Sequence, residues 1–148
     1  MRRAVVIAYD LETSGRSTDS DVIQMCFILY QATNQCIIPM NAIMKRNVKP
    51  RKKIDIGAQN VHGISRSSLN DQKYFEDVIE EVKSWILLRT KGEKTIFLSY
   101  NGSKFDDIVL TNNIFRYCKQ SYTIEKFFEL IQCIGFFDLY TYIRKTKK

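Results

Sequence analysis

The sequence contains a single histidine, His62, among its 148 residues. Its four cysteines form no C-x-x-C pair and have no neighbouring histidine, which argues against a zinc site. No apolar run approaches the roughly 18 residues that span a bilayer, and the run after Arg2 and Arg3 is too short for a signal peptide. Internal repeats and low-complexity segments are also missing. We therefore expect an intracellular protein, cytoplasmic or nuclear, with reduced cysteines and no membrane partner.

The composition indicates one globular domain, because 148 residues with 45% hydrophobic content can bury a core. The formal net charge of +7 at pH 7 indicates a polyanionic partner. Two basic segments, Lys45–Lys53 and Arg144–Lys148, are candidates to contact phosphates. A solvated loop and a frayed tail are the alternative interpretation of these two segments.

Carboxylates follow two apolar, strand-like runs. Val5–Tyr9 leads into Asp10 and Glu12, and Thr95–Tyr100 leads into a turn that ends at Asp106. Side chains alternate between the two faces of a strand, so Asp10 and Glu12 should point the same way. Acids this close repel one another unless a cation lies between them, and carboxylate oxygens suit Mg²⁺ or Mn²⁺. An isolated acid is often a helix cap or turn residue. The combination instead predicts a two-metal site with carboxylates within a few ångströms of one another.

The hydrophobic pattern predicts an α/β fold with five strands: Val5–Asp10, Val22–Tyr30, Cys36–Met44, Thr95–Tyr100 and Ile134–Phe137. Short connections favour an antiparallel meander for the first three, and the fourth would lie parallel to the first. Helices are predicted over Phe75–Ile86 with capping at Asn70-Asp71, over Ile124–Ile131, and over Asp138–Lys145. A further helix is predicted from Phe105, with Ile108, Val109 and Asn112 on one side and Leu110 and Ile114 on the opposite flank. Lys45–Ile56 is predicted to be a loop. The result is a mixed sheet with helices packed on it.

Three segments, in this order, carry a resemblance to a known family: Asp10–Gly15 (DLETSG), Ala58–Ser65 (AQNVHGIS) and Tyr100–Asp106 (YNGSKFD). They resemble the DEDD 3′–5′ exonucleases, the group of proofreading and three-prime repair enzymes that act in DNA repair. The resemblance implies a ribonuclease H-like fold, a mixed five-stranded sheet with helices on both faces. A different ribonuclease H-like hydrolase, such as an integrase, is disfavoured because the Ala58–Ser65 segment has no role there.

The resemblance also implies roles for the matching positions. Asp10, Glu12 and Asp106 would be the catalytic metal ligands of a site for two Mg²⁺ or Mn²⁺ ions. Residues that would contact the substrate, the 3′ end of single-stranded DNA or RNA, are Leu11, Thr13, His62, Ile64 and Asn101. For His62 the alternative is an ordinary turn residue without a functional role.

The third motif of the family is missing. The family has a His or Tyr followed by a fourth acid beyond the Asp106 helix, whereas the only histidine here lies upstream. Asp107 and Asp138 are the remaining candidates for a fourth ligand. We expect residues 1–148 to form a single ribonuclease H-like exonuclease domain that is truncated at its C-terminus, has lost its activity, or is completed by a second chain such as a homodimer partner. The alternative function is a catalytically inactive module that binds nucleic acid or a protein partner.

Overall fold

A computed structural model describes residues 3–147 of the chain. Arg2 and Lys148, which belong to basic segments noted in the sequence, lie outside the described residues. Within residues 3–147, no helix is both long and apolar enough to cross a membrane.

Five strands form one mixed sheet in the described part of the chain, as predicted. They are β1 (Ala4–Thr13), β2 (Val22–Ala32), β3 (Ile37–Asn47), β4 (Thr95–Ser99) and β5 (Cys133–Asp138), in the spatial order β3-β2-β1-β4-β5. The first three pair antiparallel as a meander. β4 then pairs parallel with β1, and β5 pairs parallel with β4. The mixed topology confirms the expected fold class and places the C-terminal ends of β1, β4 and β5 at one edge.

Five α-helices are seen in residues 3–147: α1 (Ile56–His62), α2 (Phe75–Thr90), α3 (Asp106–Cys118), α4 (Ile124–Leu130) and α5 (Leu139–Thr146). Short 3-10 turns lie at Ser67–Leu69 and Gly102–Lys104. Helix α1 was not predicted as a separate helix, and β3 extends three residues into the segment predicted as a basic loop. α1 ends at Gly63, whose φ of 73° is a left-handed conformation that glycine adopts without a steric penalty.

The core lies on one face of the sheet. Val5, Ile7, Tyr9 and Leu11 of β1 are buried there against α2, α3 and α4. Helix α5 contacts the opposite face, because Phe137 shares the face of its β-partner Leu98 and packs against Tyr142, with ring centroids 5.3 Å apart. Helices therefore contact both faces of the sheet.

Two sequence predictions about helices are corrected by the structure. Helix α2 begins after Tyr74, which makes no side-chain capping hydrogen bond, rather than after the predicted Asn70-Asp71 cap. In α3 the buried face runs through Val109, Leu110 and Ile114, whereas Ile108 is 38% exposed. Of the two sides predicted for this helix, the flank with Leu110 and Ile114 is the buried one, and the polar Asn113 is buried with it.

The side chain of Asn113 anchors the loop between β1 and β2 to helix α3. Its side chain is fully buried, accepts a hydrogen bond from the N–H of Val22 at 3.2 Å, and donates to the carbonyl groups of Ser20 and Val109, both at 2.9 Å. Buried backbone groups need such partners, because water cannot reach them. The loop that directly follows the Asp10–Gly15 motif is thereby fixed to α3.

Asn113→Ala is expected to lower the free energy of unfolding by roughly 2–4 kcal/mol, because the Val22 N–H and the Ser20 carbonyl lose their buried partner. Asn112→Ala is the matched control, since the half-buried Asn112 amide makes one hydrogen bond, to the Thr18 carbonyl at 3.0 Å. The control should lose about 1 kcal/mol or less in urea unfolding. Equal losses in the two variants would contradict the anchoring role.

Candidate active site

Asp10 and Glu12 lie on one face at the C-terminal end of β1. Their antiparallel partners on β2 are Cys26 and Gln24, and the intervening Leu11 is buried in the core on the opposite face. The alternation predicted from the sequence is therefore observed. Because β4 runs parallel to β1, the turn that follows β4 meets the two acids at the same edge of the sheet.

A tight turn brings Asp106 to this edge. Asn101 has a left-handed backbone with φ of 60°, a conformation that asparagine tolerates better than most residues. The next position must be glycine, because a Cβ on Gly102 would overlap the side chain of Ser99. The 3-10 turn then delivers Asp106 as the first residue of α3. The Asn-Gly pair of the motif is thus a requirement of backbone geometry.

The three carboxylates share one electrostatic environment. Burial, followed by the charges of Asp10, Asp107 and Glu12, raises the pKa of Asp106 to about 6. Burial also raises the pKa of Asp10, and burial together with the Asp10 charge raises that of Glu12. His62 and Lys45 act on Glu12 in the opposite direction and lower its pKa. Burial is thus the main cause of the raised pKa values, and neighbouring negative charge adds to it for Glu12 and Asp106.

The three carboxylates have the chemistry of metal ligands. Their oxygen donors and accumulated negative charge fit a divalent cation. Within residues 3–147, no group of three or more His, Cys, Asp or Glu side chains is arranged as a ready-made metal site. The expectation that the three carboxylates lie within a few ångströms of one another stays a prediction.

The two candidates for a fourth ligand have other roles. Asp107 accepts hydrogen bonds from the Tyr9 hydroxyl and, at 3.1 Å, from the Ser99 hydroxyl. Tyr9 extends from the face of β1 opposite to Asp10, so Asp107 is directed away from the acid pair. Burial and the bond to Asp107 raise the pKa of Tyr9 strongly.

Asp138 instead links the turn after β4 to helix α5. Its carboxylate accepts hydrogen bonds from the N–H groups of Asn101 at 2.9 Å and Tyr140 at 3.0 Å, and from the hydroxyl groups of Ser103 and Thr141. Burial acts to raise its pKa, but the hydrogen bonds from Ser103 and Thr141 outweigh this and hold the pKa at about 2. Asp138 is a structural cap, and nothing in its contacts directs it to the acid pair.

A cavity of about 310 Å³ opens beside Glu12, lined by Glu12, Thr13, Gly15, Arg16, Ala58, Val61, His62 and Phe105. Nδ1 of His62 accepts the N–H of Ile64 at 3.0 Å, so the proton of the neutral ring is on Nε2. Nε2 is buried and has no hydrogen-bond partner among residues 3–147. His62, at the end of α1, therefore presents an Nε2–H donor, unpaired within residues 3–147, beside Glu12. This position favours a functional role for His62 over that of an ordinary turn residue.

The other predicted substrate contacts lie in different settings. Leu11 is 6% exposed and packs in the core, so only its backbone is available at the edge. The buried Thr13 hydroxyl donates to the Gly15 carbonyl at 2.6 Å, which shapes the loop below the cavity. Ile64 is half-buried and holds His62 through its N–H. The side-chain oxygen of Asn101 is buried without a partner in the described part of the chain.

Three of the six cations of the first basic segment pair with carboxylates of the protein itself. Arg46 pairs with Glu81 at 3.1 Å, the Arg51 guanidinium makes two hydrogen bonds with Glu76, at 2.6 and 3.1 Å, and Lys52 pairs with Asp19. Lys49 donates to the Asn70 carbonyl at 2.7 Å, and rings of Tyr74 and Tyr117 flank Arg51, at 4.2 and 4.7 Å. These three pairs leave less of the segment's charge for phosphates, and the phosphate contact by Lys45–Lys53 stays a prediction.

Sequence reasoning missed two residues at the site, Arg16 and Phe105, which line the cavity beside Glu12. Phe105 could have been noticed from its place directly before Asp106. The position of Arg16 depends on loop conformation, which no local pattern indicates. Lys45, a candidate phosphate contact from the sequence, lies on the acid-bearing face, because its β-partner Cys26 is also the partner of Asp10.

Comparison with known proteins agrees with this geometry. The sequence matches the RNase_T exonuclease family over residues 7–148. No curated protein sequence is similar enough to count as a match. The structure of E. coli exonuclease I in complex with a dT13 oligonucleotide has a TM-score of 0.76 at 19% identity, covering 97% of this chain and 30% of that chain. The zinc-ion-bound form of the E. coli exonuclease I–single-stranded DNA complex has a TM-score of 0.75 at 18% identity, covering 99% and 30%.

The fold and its acid-bearing edge define an exonuclease domain of the ribonuclease H-like class. The chain belongs to the RNase_T exonuclease family. Its likeness to exonuclease I, at 18–19% identity, establishes the shared fold. The chain spans about 30% of the length of those structures.

The raised pKa of Asp106 predicts how stability depends on pH when no divalent metal is present. Between its ordinary value of 3.8 and its folded value of about 6, the folded state binds more protons than the unfolded state. Stability contributed by the protonated group should therefore be lost as pH rises through about 6. In EDTA we expect the melting temperature to fall by roughly 3–8 °C between pH 4.5 and 7.5.

Asp106→Asn should flatten this dependence and raise the melting temperature at pH 7.5. Asp71→Asn removes the same charge at an exposed position before α2 and should leave the pH dependence unchanged. Differential scanning calorimetry at several pH values measures both. Identical pH profiles for wild type and Asp106→Asn would refute the electrostatic account.

Proposed function

We propose that the chain is a metal-dependent exonuclease domain that removes nucleotides from the 3′ end of a single-stranded nucleic acid. The single observation that carries this proposal is the position of Asp10, Glu12 and Asp106 at one sheet edge, where burial raises the pKa of all three and the Asp10 charge adds to the rise for Glu12 and Asp106. The family supports phosphodiester hydrolysis, and the oligonucleotide complex of exonuclease I supports a single-stranded substrate.

The same three carboxylates are the proposed ligands of Mg²⁺ or Mn²⁺. Bound divalent ions would offset their charge and stabilise the charge that develops on the phosphodiester during hydrolysis. Repulsion among the acids would be relieved on binding, so metal affinity and the approach of the carboxylates are coupled. Lys45 and Arg16, at the border of the edge, offer additional positive charge for phosphate oxygens.

The cavity beside Glu12 supports the binding of a terminal nucleotide. Its volume of about 310 Å³ suits a sugar with part of a base, and Val61 and Phe105 give it apolar walls. The Nε2–H of His62 would donate to a substrate oxygen, since it is buried and has no partner in residues 3–147. A donor of this kind positions the substrate and does not serve as the base, because Nε2 already carries the proton.

A second function is supported by one specific observation. The only histidine of the sequence, His62, positions substrate in the proposal above and is not the general base. A nucleic-acid-binding module without catalysis would need no general base. Oligonucleotide binding by this chain without nucleotide removal would support this function.

Metal binding is tested by thermal unfolding. Millimolar Mn²⁺ should raise the melting temperature by several degrees at pH 7.5, because ligand binding stabilises the native state by mass action. Asp10→Asn should remove most of this shift, whereas Asp71→Asn should retain it. A wild-type melting temperature that does not respond to millimolar Mn²⁺ would show that the three acids do not form a metal site.

Exonuclease polarity is tested with a 20-nucleotide strand labelled at either end. We expect Mg²⁺-dependent loss of the 3′ label in single-nucleotide steps, while the 5′ label remains on shortening products. The rate should be low, because no general base is identified among residues 3–147, and losing a well-placed base typically costs about 10²–10⁴-fold. Glu12→Gln should abolish the activity.

Glu125→Gln, at an exposed position on α4, is the matched charge control for Glu12→Gln and should keep wild-type activity. Release of the 5′ label first would contradict the proposed polarity. Activity that persists in Glu12→Gln would remove Glu12 from the catalytic site.

A further inference from the structure

Helix α5 and the 3-10 turn before α3 enclose a second cavity at the acid-bearing edge. It has a volume of about 360 Å³ and is lined by Lys104, Tyr140, Thr141, Arg144 and Lys145. Three of these five residues are cationic and none is acidic. Part of the segment for which a frayed tail was the alternative interpretation is therefore a helix with a concave basic surface. We name Lys104, Tyr140, Arg144, Lys145 and the adjacent Tyr100 the α5 patch.

Aromatic rings lie among the charges of the α5 patch. Tyr100 and Tyr140 pack edge to face with centroids 5.4 Å apart, and Tyr100 remains 65% exposed. The Arg144 guanidinium lies 5.7 Å from the centroid of the Tyr140 ring. Exposed rings interleaved with cations are the features of surfaces that bind single strands, where bases stack and phosphates pair with charge.

The α5 patch is rigidly connected to the catalytic edge. Asp138 caps the N-terminus of α5 through Tyr140 and Thr141, and the same carboxylate accepts the N–H of Asn101 and the hydroxyl of Ser103. Lys104 lies two residues before Asp106 on the turn that Asp138 holds. The patch therefore has a defined position next to the turn that carries Asp106.

We propose that the α5 patch binds the phosphates and a base of the single strand whose 3′ end occupies the carboxylate edge. The inference rests on the proposed function and adds to it a second contact region, along the strand from the terminal nucleotide. Its cations would bind the backbone irrespective of sequence, and the exposed face of Tyr100 would stack on a base. The carboxylates of an acidic protein surface would pair with the cations of the patch, but they would gain little from contact with the exposed Tyr100 ring.

The charge contribution is tested by neutralising Lys104, Arg144 and Lys145 together as K104Q/R144Q/K145Q. The matched control K91Q/K94Q/K119Q removes the same charge at exposed positions after α2, before β4 and after α3. Binding of a fluorescent 20-mer of deoxythymidine is measured in EDTA by anisotropy, which needs no catalysis. We expect at least tenfold weaker binding for the patch variant and a salt-dependence slope smaller by about 2. The control should stay within threefold of wild type.

The stacking contribution is tested at Tyr100. Because this side chain is 65% exposed, replacing it should not disturb folding. Tyr100→Ser should weaken binding of the 20-mer about three- to tenfold, while Tyr100→Phe should retain wild-type affinity. Inorganic polyphosphate of similar length serves as a probe without bases, and its affinity should be the same for both Tyr100 variants.

Equal affinity of the patch variant and its lysine control would overturn the proposal. So would an effect of charge without any effect of Tyr100→Ser, since that result fits an acidic protein partner. Trimming of the 3′ label is measured separately on the same proteins. Patch-dependent binding without trimming by the wild type would overturn the proposed exonuclease function and leave this inference standing.

Discussion

The parallel pairing of β1 with β4 is the interaction on which the site depends. Val5–Ala8 pairs with Thr95–Leu98, so acids that are far apart in sequence emerge at one edge. An antiparallel pairing would send Asp106 to the opposite end of the sheet. The pair is held by apolar contact, since Ile7 and Phe97 are buried and the rings of Tyr9 and Phe97 lie 5.4 Å apart. Packing on one face thereby determines the chemistry on the other.

This arrangement concentrates negative charge, and the surrounding structure resists the repulsion that results. Polar anchors lie on each side of the edge. Asn113 fixes the loop after β1, Asp138 fixes the turn after β4, and the buried Asp21 accepts the N–H groups of Arg51 and Lys52, both at 2.8 Å. Buried hydrogen-bonded groups of this kind specify one arrangement of loops more than they add stability. The edge can therefore carry like charges without the loops moving apart.

The sequence predicted most of the fold, because strands and helices leave periodic patterns. The apolar stripe from Phe75 to Ile86 is buried throughout, and the alternation at Asp10 and Glu12 placed both acids on one face. It did not predict α1, since seven residues contain too few turns to show a period. Nor did it predict that Arg51 pairs with Glu76, because that contact depends on tertiary structure. The candidate acids could be located from motifs, whereas the cavity beside Glu12 could not, because its lining comes from segments that meet only in the folded chain.

For the binding of a nucleic-acid strand, the position of the positive charges matters more than the net charge of the chain. Much of the Lys45–Lys53 charge is paired within the protein, while the α5 patch retains its cations beside the acids. A strand approaching this edge would meet attraction from the patch and repulsion from Asp10, Glu12 and Asp106. The repulsion would end when divalent ions bind, so metal and strand would each favour the binding of the other. Such coupling is reciprocal by thermodynamic necessity. In the proposed site, the raised carboxyl pKa values and the adjacent basic patch would therefore act together, and a strand would bind most tightly once divalent ions have offset the charge of the acids.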